Sequence, residues 1–382
     1  MDLDLSPAQQ QLQAELREYF AGLLSTSERT ALLTERHGEV YRALVLRMGK
    51  DRRLGVGWPT EYGGHGFGPV EQQIFVNEAA RADVPLPYVT LQTVGPTLQA
   101  FGTTAQKDFF LPRILAGEIH FAIGYTEPEA GTDLASLRTS AVRDGDTFVV
   151  NGQKIFTTGA HDADYIWLAV RTDQEAPRHK GISILIVDTR DPGFSWTPII
   201  TCDGAHHVNA TYYSDVRVPA DMLVGKENAG WRLITTQLNH ERVMLGPAGR
   251  LAALYERVRD WATDHDLLDE PDVRRALARA NANVRVNELL NWQVAAAGSD
   301  VSIADASATK VYSSDRAQWL GRELEAVVGT HGDPADADTE ALLRWLDVQA
   351  KRNLVLTFGG GVNEVQRELI AVAGLNLPRV PR

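Results

Sequence analysis

The sequence predicts a multidomain α+β protein: a helical N-terminal domain over residues 1–119, a central β domain over 120–225 and a helical C-terminal domain over 226–382. Three observations carry this reading. Apolar residues recur at helical spacing through both outer blocks. The middle block holds short β-branched runs with Asp-Gly and Asn-Gly pairs between them. A length of 382 residues exceeds what one core comfortably encloses.

The elements follow in order. Ser6-Pro7-Ala8-Gln9 is a capping box with proline at the first helical position, and Leu12, Leu16, Phe20 and Leu23 continue at helical spacing. A turn-rich connection through Gly55–Pro59 and Gly63–Gly66 leads to helices over 70–82 and 105–116. In the middle block, strand-like runs fall at 121–125, 147–150, 155–158, 165–170, 182–187 and 211–216. Asp144-Gly145 and Asn151-Gly152 are hairpin signals, so an antiparallel sandwich or barrel is expected. The third block predicts helices over 231–245, 251–264, 272–297 and 339–358. Gly359-Gly360-Gly361 breaks the pattern, 362–373 resumes it, and 264–272 and 329–338 read as solvated loops. Pro247 ends or kinks the first of these helices.

Composition narrows the function. Hydrophobic residues make up 44% and charged residues 23%, the balance of a soluble globular protein. No apolar run approaches the ~20 residues of a membrane helix. The start, Met1-Asp2-Leu3-Asp4, has neither the basic nor the apolar region of a signal peptide, so a cytoplasmic protein is expected. A formal charge of −12 argues against general nucleic-acid binding and does not steer anionic ligands. The single cysteine, Cys202, excludes an internal disulfide and a Cys-rich metal site. His206-His207 lacks a third ligand at metal spacing and reads as surface polar, so no metal is expected. No Gly-x-Gly-x-x-Gly follows a strand and no P-loop is present.

The chemistry concentrates in Tyr125-Thr126-Glu127-Pro128-Glu129-Ala130-Gly131-Thr132-Asp133, directly after a predicted strand. Hydroxyls, a glycine and a fixed-φ proline in nine residues offer donors to a planar polar ring or a phosphate. Taken alone, the stretch is also what a capped turn looks like.

This stretch resembles the Thr-Glu-Pro…Gly-Ser/Thr-Asp signature of acyl-CoA dehydrogenases. Asn151-Gly152-Gln153-Lys154-Ile155-Phe156-Thr157-Thr158-Gly159-Ala160 is similar to that family's second flavin segment. Val216-Arg217-Val218-Pro219 with Leu223-Val224-Gly225 resembles the end of its β domain. Glu364-Val365-Gln366-Arg367 with Leu377-Pro378-Arg379 resembles its C-terminal helix. The resemblance runs in order along nearly the whole chain. It implies an N-terminal helical domain, a central β-barrel and a C-terminal four-helix bundle, with FAD as cofactor. Tyr125 and Thr126 are then expected at the flavin ring, Phe156 beside it, Thr158 near N5, and Gly131 and Thr132 at the pyrophosphate or the CoA. Glu127 and Glu364 are expected to hold local structure.

The implied reaction is α,β-dehydrogenation of an acyl-CoA: a carboxylate removes the α-proton while the β-hydrogen leaves as hydride. An α-proton beside a thioester is weakly acidic, so such a site needs placed donors on the carbonyl and a base tuned by burial. Many members carry that base in the C-terminal loop, but counting back from Glu364 the position falls on Gly360, and glycine has no acid–base capacity. The isovaleryl-CoA type carries it on the first long helix after the β domain, before an arginine, which here is Glu241-Arg242. Trp231, Ile234, Leu238, Glu241 and Leu245 share one helical face, where a carboxylate needs a reason to be. An ion pair with an arginine such as Arg242 would be one such reason; the resemblance implies the other, that Glu241 is the base, with Asn239 and Arg242 expected at the CoA pantetheine.

The family's Arg-x-x-Phe-Gly, which reaches a neighbouring subunit's FAD, is missing from 255–262, and the glycine-rich segment 327–332 is eroded. That combination resembles the actinobacterial steroid side-chain dehydrogenases, obligate α2β2 assemblies with half the flavin sites lost. The resemblance implies a steroid-CoA with a shortened, three-carbon side chain, a second dehydrogenase-like subunit and an electron-transfer flavoprotein as acceptor. Two rival readings remain at this stage: a homotetramer acting on branched short-chain acyl-CoA, and a catalytically silent scaffold subunit.

Overall fold

The structure is a computed structural model that describes residues 4–244 and 246–379; the side chains of 238–244 and of Ser299 lie outside the described residues. Helices α1 (Pro7–Leu23), α2 (Thr26–Thr34), α3 (Glu39–Lys50), α4 (Pro69–Arg81), α5 (Gly95–Phe101) and α6 (Thr104–Leu115) open the chain. Strands β1 (Phe121–Gly124), β2 (Ser140–Asp144), β3 (Thr147–Thr158), β4 (Tyr165–Arg171), β5 (Ile182–Asp188), β6 (Phe194–Ile200), β7 (His206–Pro219) and β8 (Leu223–Val224) follow. Helices α7 (Gly230–Met244), α8 (Ala248–Asp264), α9 (Pro271–Ala297), α10 (Ile303–His331), α11 (Ala337–Asn353) and α12 (Asn363–Leu369) complete it. The expected helical–β–helical order is what the structure shows.

By internal packing the chain divides into two compact units. One comprises residues 1–33, 67–85 and 241–382, and is helical. Ser6 caps α1 with the reciprocal Gln9 bond that its sequence predicts. Helices α8 to α11 bury a shared apolar core that includes Leu251, Trp261, Leu277, Leu324 and Leu346. Gly249 lets α8 approach α4 closely: a Cβ there would lie 1.8 Å from the Asn77 carbonyl oxygen. Pro247 forms the N-cap of α8 after α7 has ended at Met244.

Helix α10, 29 residues long, was not expected from the sequence. The buried face of its first half carries Ser307, Thr309, Lys310, Ser313 and Ser314, and only the second half, with Ala317, Leu320, Leu324, Val327 and Val328, buries an apolar stripe. Thr309 donates to the Asp305 carbonyl at 2.9 Å and Ser314 to that of Lys310 at 2.9 Å within the helix, whereas Ser307 donates to Gln366 Oε1 at 2.8 Å. It also takes in residues 329–331, read from the sequence as loop.

The second unit comprises residues 34–66 and 86–240 and is built on the sheet. Strand order is β6-β7-β3-β2-β4-β5-β8, with β1 joining β4 in parallel and most other pairs antiparallel. Alternate residues of the strands, among them Ala122, Phe148, Ile166, Leu185 and Val216, meet in one core, so the sheet wraps around its own interior. The Asp144-Gly145 turn joins β2 to β3 as expected. Asn151-Gly152 does not form a hairpin. It lies within β3, where Asn151 exchanges bonds with Asp215 of β7, both at 2.9 Å, and steadies a register shift. Partners distant in sequence outweigh the local turn preference there. Strand β6 was not expected either; it is largely solvent-facing and carries Pro198, which an edge position tolerates.

Among the described residues, no helix is long and apolar enough to cross a membrane, and no cluster of His, Cys, Asp or Glu has the makings of a metal site.

Candidate active site

The loop after β1 is built around a buried ion pair. Lys154 of β3 is fully buried and donates to a Glu127 carboxylate oxygen at 2.8 Å and to the Tyr125 carbonyl at 3.1 Å. Glu127 also accepts from the backbone N–H groups of Arg138 and Thr139, at 2.7 and 2.8 Å. Burial alone would raise its pKa, but Lys154 and Thr139 outweigh it and hold the carboxyl below its ordinary value. Burial in turn lowers the Lys154 ammonium to about 8. Glu127 and Ala130 exchange backbone bonds at 3.1 Å, and Ile155 N–H donates to the Thr126 carbonyl at 2.8 Å. Loop and strand are thereby one rigid piece. Thr126 is half-buried, whereas Gly131 and Thr132 are exposed.

Strand β3 bulges where the expected ring contacts lie. Lys154 pairs with Thr211 and Thr157 with Asn209, so β3 holds one residue more than β7 across this span. Phe156 sits in the bulge with φ +59° and is 59% exposed. A left-handed backbone at an exposed aromatic costs about 1–3 kcal/mol and directs attention to function. Thr158 is exposed two residues on.

A histidine cluster supports the end of this strand. Gly159 has φ +69°, and a Cβ there would meet the His37 ring at 2.6 Å. His161 stacks on His206 with ring centroids 3.9 Å apart and meets His37 at 5.1 Å. His206 and His207 are thus half-buried rather than surface groups. Fully buried Asn209 donates to His161 Nδ1 at 3.0 Å and to the Thr157 carbonyl at 3.2 Å, and its Oδ1 accepts from His206 Nε2 at 2.7 Å. An amide nitrogen can only donate, so His161 Nδ1 is unprotonated. Burial and the neighbouring imidazoles bring His37 down to about 3 and His161 to about 4.

Helix α7 buries Leu233, Ile234 and Gln237. Its backbone carries Asn239, Glu241 and Arg242, whose side chains lie outside the described residues, as does all of Leu245. Glu241 stands one turn beyond Gln237 and two beyond Ile234. Fully buried Gln237 accepts from the Tyr125 hydroxyl at 2.5 Å, and that hydroxyl accepts from Trp167 Nε1 at 3.1 Å.

Residues 6–118, 122–216 and 228–375 match the family profiles of the acyl-CoA dehydrogenase N-terminal, middle and C-terminal domains. The chain is 69% identical to acyl-CoA dehydrogenase FadE29 of Mycobacterium tuberculosis over 392 residues, covering 100% of both. It belongs to the acyl-CoA dehydrogenase family. Among solved structures it is similar to the Tcur3481–Tcur3483 steroid ACAD, with a TM-score of 0.93 and 50% identity over 100% of both chains. It is also similar to a chain of the ChsE4–ChsE5 complex from Mycobacterium tuberculosis, with a TM-score of 0.91 and 48% identity over 100% of both chains.

This acyl-CoA dehydrogenase is accordingly an oxidoreductase acting on CH–CH groups. Its C-terminal glycine loop holds no carboxylate at 359–361, and the loop is firmly braced. Buried Lys310 donates to the Gly361 carbonyl at 2.9 Å and to Asn363 Oδ1 at 2.7 Å. Gln366 Nε2 donates to the Gly360 carbonyl at 3.1 Å. Family members are FAD-dependent, and this chain's residues fit such a group. An exposed aromatic in a strained bulge, an exposed threonine, Thr158, and a buried Gln237 Nε2 with no described partner all suit a planar ring with a polar edge. Gln237, Asn209 and Lys310 escaped the sequence reading. The one available signal was Gln237 in register with Leu233 and Ile234, a polar side chain on an apolar helical face.

Proposed function

We propose that this dehydrogenase oxidises the three-carbon side chain of a steroid-CoA thioester, as the flavin- and base-bearing subunit of an α2β2 complex. The full-length likeness to the Tcur3481–Tcur3483 steroid ACAD carries the reading. FAD, when bound, supplies the two-electron acceptor for the β-hydrogen. Tyr125, Thr126, Phe156 and Thr158 hold its ring, with Gly131 and Thr132 toward the pyrophosphate or CoA. Glu241 removes the α-proton, and Asn239 and Arg242 bind the pantetheine arm. Glu241 takes this role because the glycine loop offers no acid or base, whereas the spacing of Ile234 and Glu241 along α7 is that of one helical face. A glycine segment without side chains in place of a side-chain-bearing loop suits a bulky substrate.

A second chain is part of the proposal because α8 lacks the arginine motif that would serve a neighbour's FAD. Two arginines of that helix are engaged locally: Arg257 lies 4.3 Å over the Trp345 ring and Arg259 bonds Asp260 at 2.9 Å. An electron-transfer flavoprotein is the proposed acceptor and the cytoplasm the proposed location.

The test is a substrate comparison with the co-expressed complex. The α,β-unsaturated thioester should form from a steroid-CoA with a three-carbon side chain at least about tenfold more efficiently, in kcat/KM, than from a branched short-chain acyl-CoA. A preference for the short-chain thioester by a flavin-saturated homotetramer would overturn the steroid reading.

A further inference from the structure

We propose that Gln237 is a ligand-facing residue whose side-chain amide donates a hydrogen bond to a carbonyl-type acceptor on the bound molecule. The proposal rests on the functional reading above and adds a residue that the family motifs do not point to.

The argument is one of proton direction. Trp167 Nε1 can only donate, and it donates to the Tyr125 hydroxyl oxygen at 3.1 Å. Tyr125 must then place its own proton elsewhere, and it does so on Gln237 at 2.5 Å. Only the amide oxygen can accept that proton, so the orientation of the amide follows from chemistry. Nε2 is left facing the other way with two N–H donors. Gln237 is fully buried, and Nε2 has no partner among the described residues. A leucine would fill the same helical position without stranding a donor. A pair of donors held in fixed orientation and kept from water suits an acceptor that arrives with a ligand.

The location names the class of acceptor. Tyr125, which sets the amide, adjoins Thr126 of the loop assigned to the flavin. Gln237 comes four positions before Glu241 in the sequence of α7. A carbonyl oxygen fits from either of two sources, the flavin ring edge or the acyl thioester.

The experiment uses the flavin-loaded, co-expressed complex and compares wild type with Gln237→Leu and Tyr125→Phe. FAD affinity and the flavin absorbance spectrum are measured without thioester, and the affinity for the enoyl-CoA product by titration. If the acceptor is flavin, Gln237→Leu weakens FAD about tenfold and shifts the spectrum before any thioester is added. If it is the thioester, FAD binding and the spectrum stay as in wild type while product affinity falls about tenfold. Tyr125→Phe, which releases the amide from its fixed orientation, moves the same constant by a smaller factor. Both constants within twofold of wild type in Gln237→Leu overturn the proposal. Should that variant not assemble, unchanged constants in Tyr125→Phe overturn it equally. A wild-type complex that binds no FAD or oxidises no acyl-CoA removes the functional reading itself, which keeps the two failures apart.

Discussion

At Lys154 the chain buries an ammonium group completely and gives it one carboxylate partner, Glu127. Removing one member of such a pair leaves the other uncompensated and costs about 3–5 kcal/mol. Lys154→Met is therefore expected to lower the denaturant midpoint sharply, and an unchanged midpoint would refute this view of the loop. Phe156 should behave in the opposite way. It is 59% exposed, so Phe156→Ala should change stability by no more than about 0.5 kcal/mol yet weaken FAD binding, read by flavin release on dilution. The histidines add a pH dependence whose sign follows from their depressed values. As pH falls below the ordinary 6.5, the unfolded chain takes up protons before folded His37 and His161 do. Their contribution is fully present above about 6.5 and is lost as pH falls toward about 4 and then 3, with Asp162 partly opposing the loss. His37→Phe should flatten the decline of the unfolding midpoint across that window; an unaltered slope would count against the cluster as its source.

Among the elements, several with one apolar stripe or a compact β-branched run were readable in advance, although α3, which buries Tyr41, Leu44, Val45 and Met48, was missed. Ser6 caps α1 as its motif dictates, and β4 and β5 stand where β-branched runs place them. The first half of helix α10 was not readable, because its buried face is largely hydroxyls and one lysine, with Ser307 and Lys310 finding partners distant in the chain. The apolar positions of its second half, Leu320, Leu324 and Val328, were a signal the sequence reading missed. Strand β6 was not, because an edge strand buries little. Asn151-Gly152 was misread because its partner, Asp215, lies 64 residues away. The same distance problem hid Gln237, whose partner Tyr125 is 112 residues distant. The flavin-segment motifs were readable because they are local. At α10, Lys310→Met removes the shorter of the two hydrogen bonds that reach each of the Gly361 carbonyl and Asn363 Oδ1, a loss of about 1–3 kcal/mol. The expected result is faster proteolysis of the glycine loop and a lower melting temperature; a loop equally resistant to protease would show that Lys310 does not brace it.

For the molecule as a whole, a formal charge of −12 offers no general attraction to a CoA thioester, so binding depends on groups placed locally. The missing arginine motif makes partner chemistry a matter of stoichiometry. Co-expressed with a second acyl-CoA dehydrogenase chain, the protein should form a mixed tetramer with about one FAD per two chains, seen by native mass and flavin absorbance; one FAD per chain in a homotetramer would contradict the shared site. The most direct measurement is anaerobic single turnover of that complex, wild type against Glu241→Gln, mixed with the steroid-CoA thioester while flavin colour is followed. The expected result is that Glu241→Gln keeps its flavin and bleaches about 10²–10⁴-fold more slowly. Bleaching at the wild-type rate would show that Glu241 is not the base.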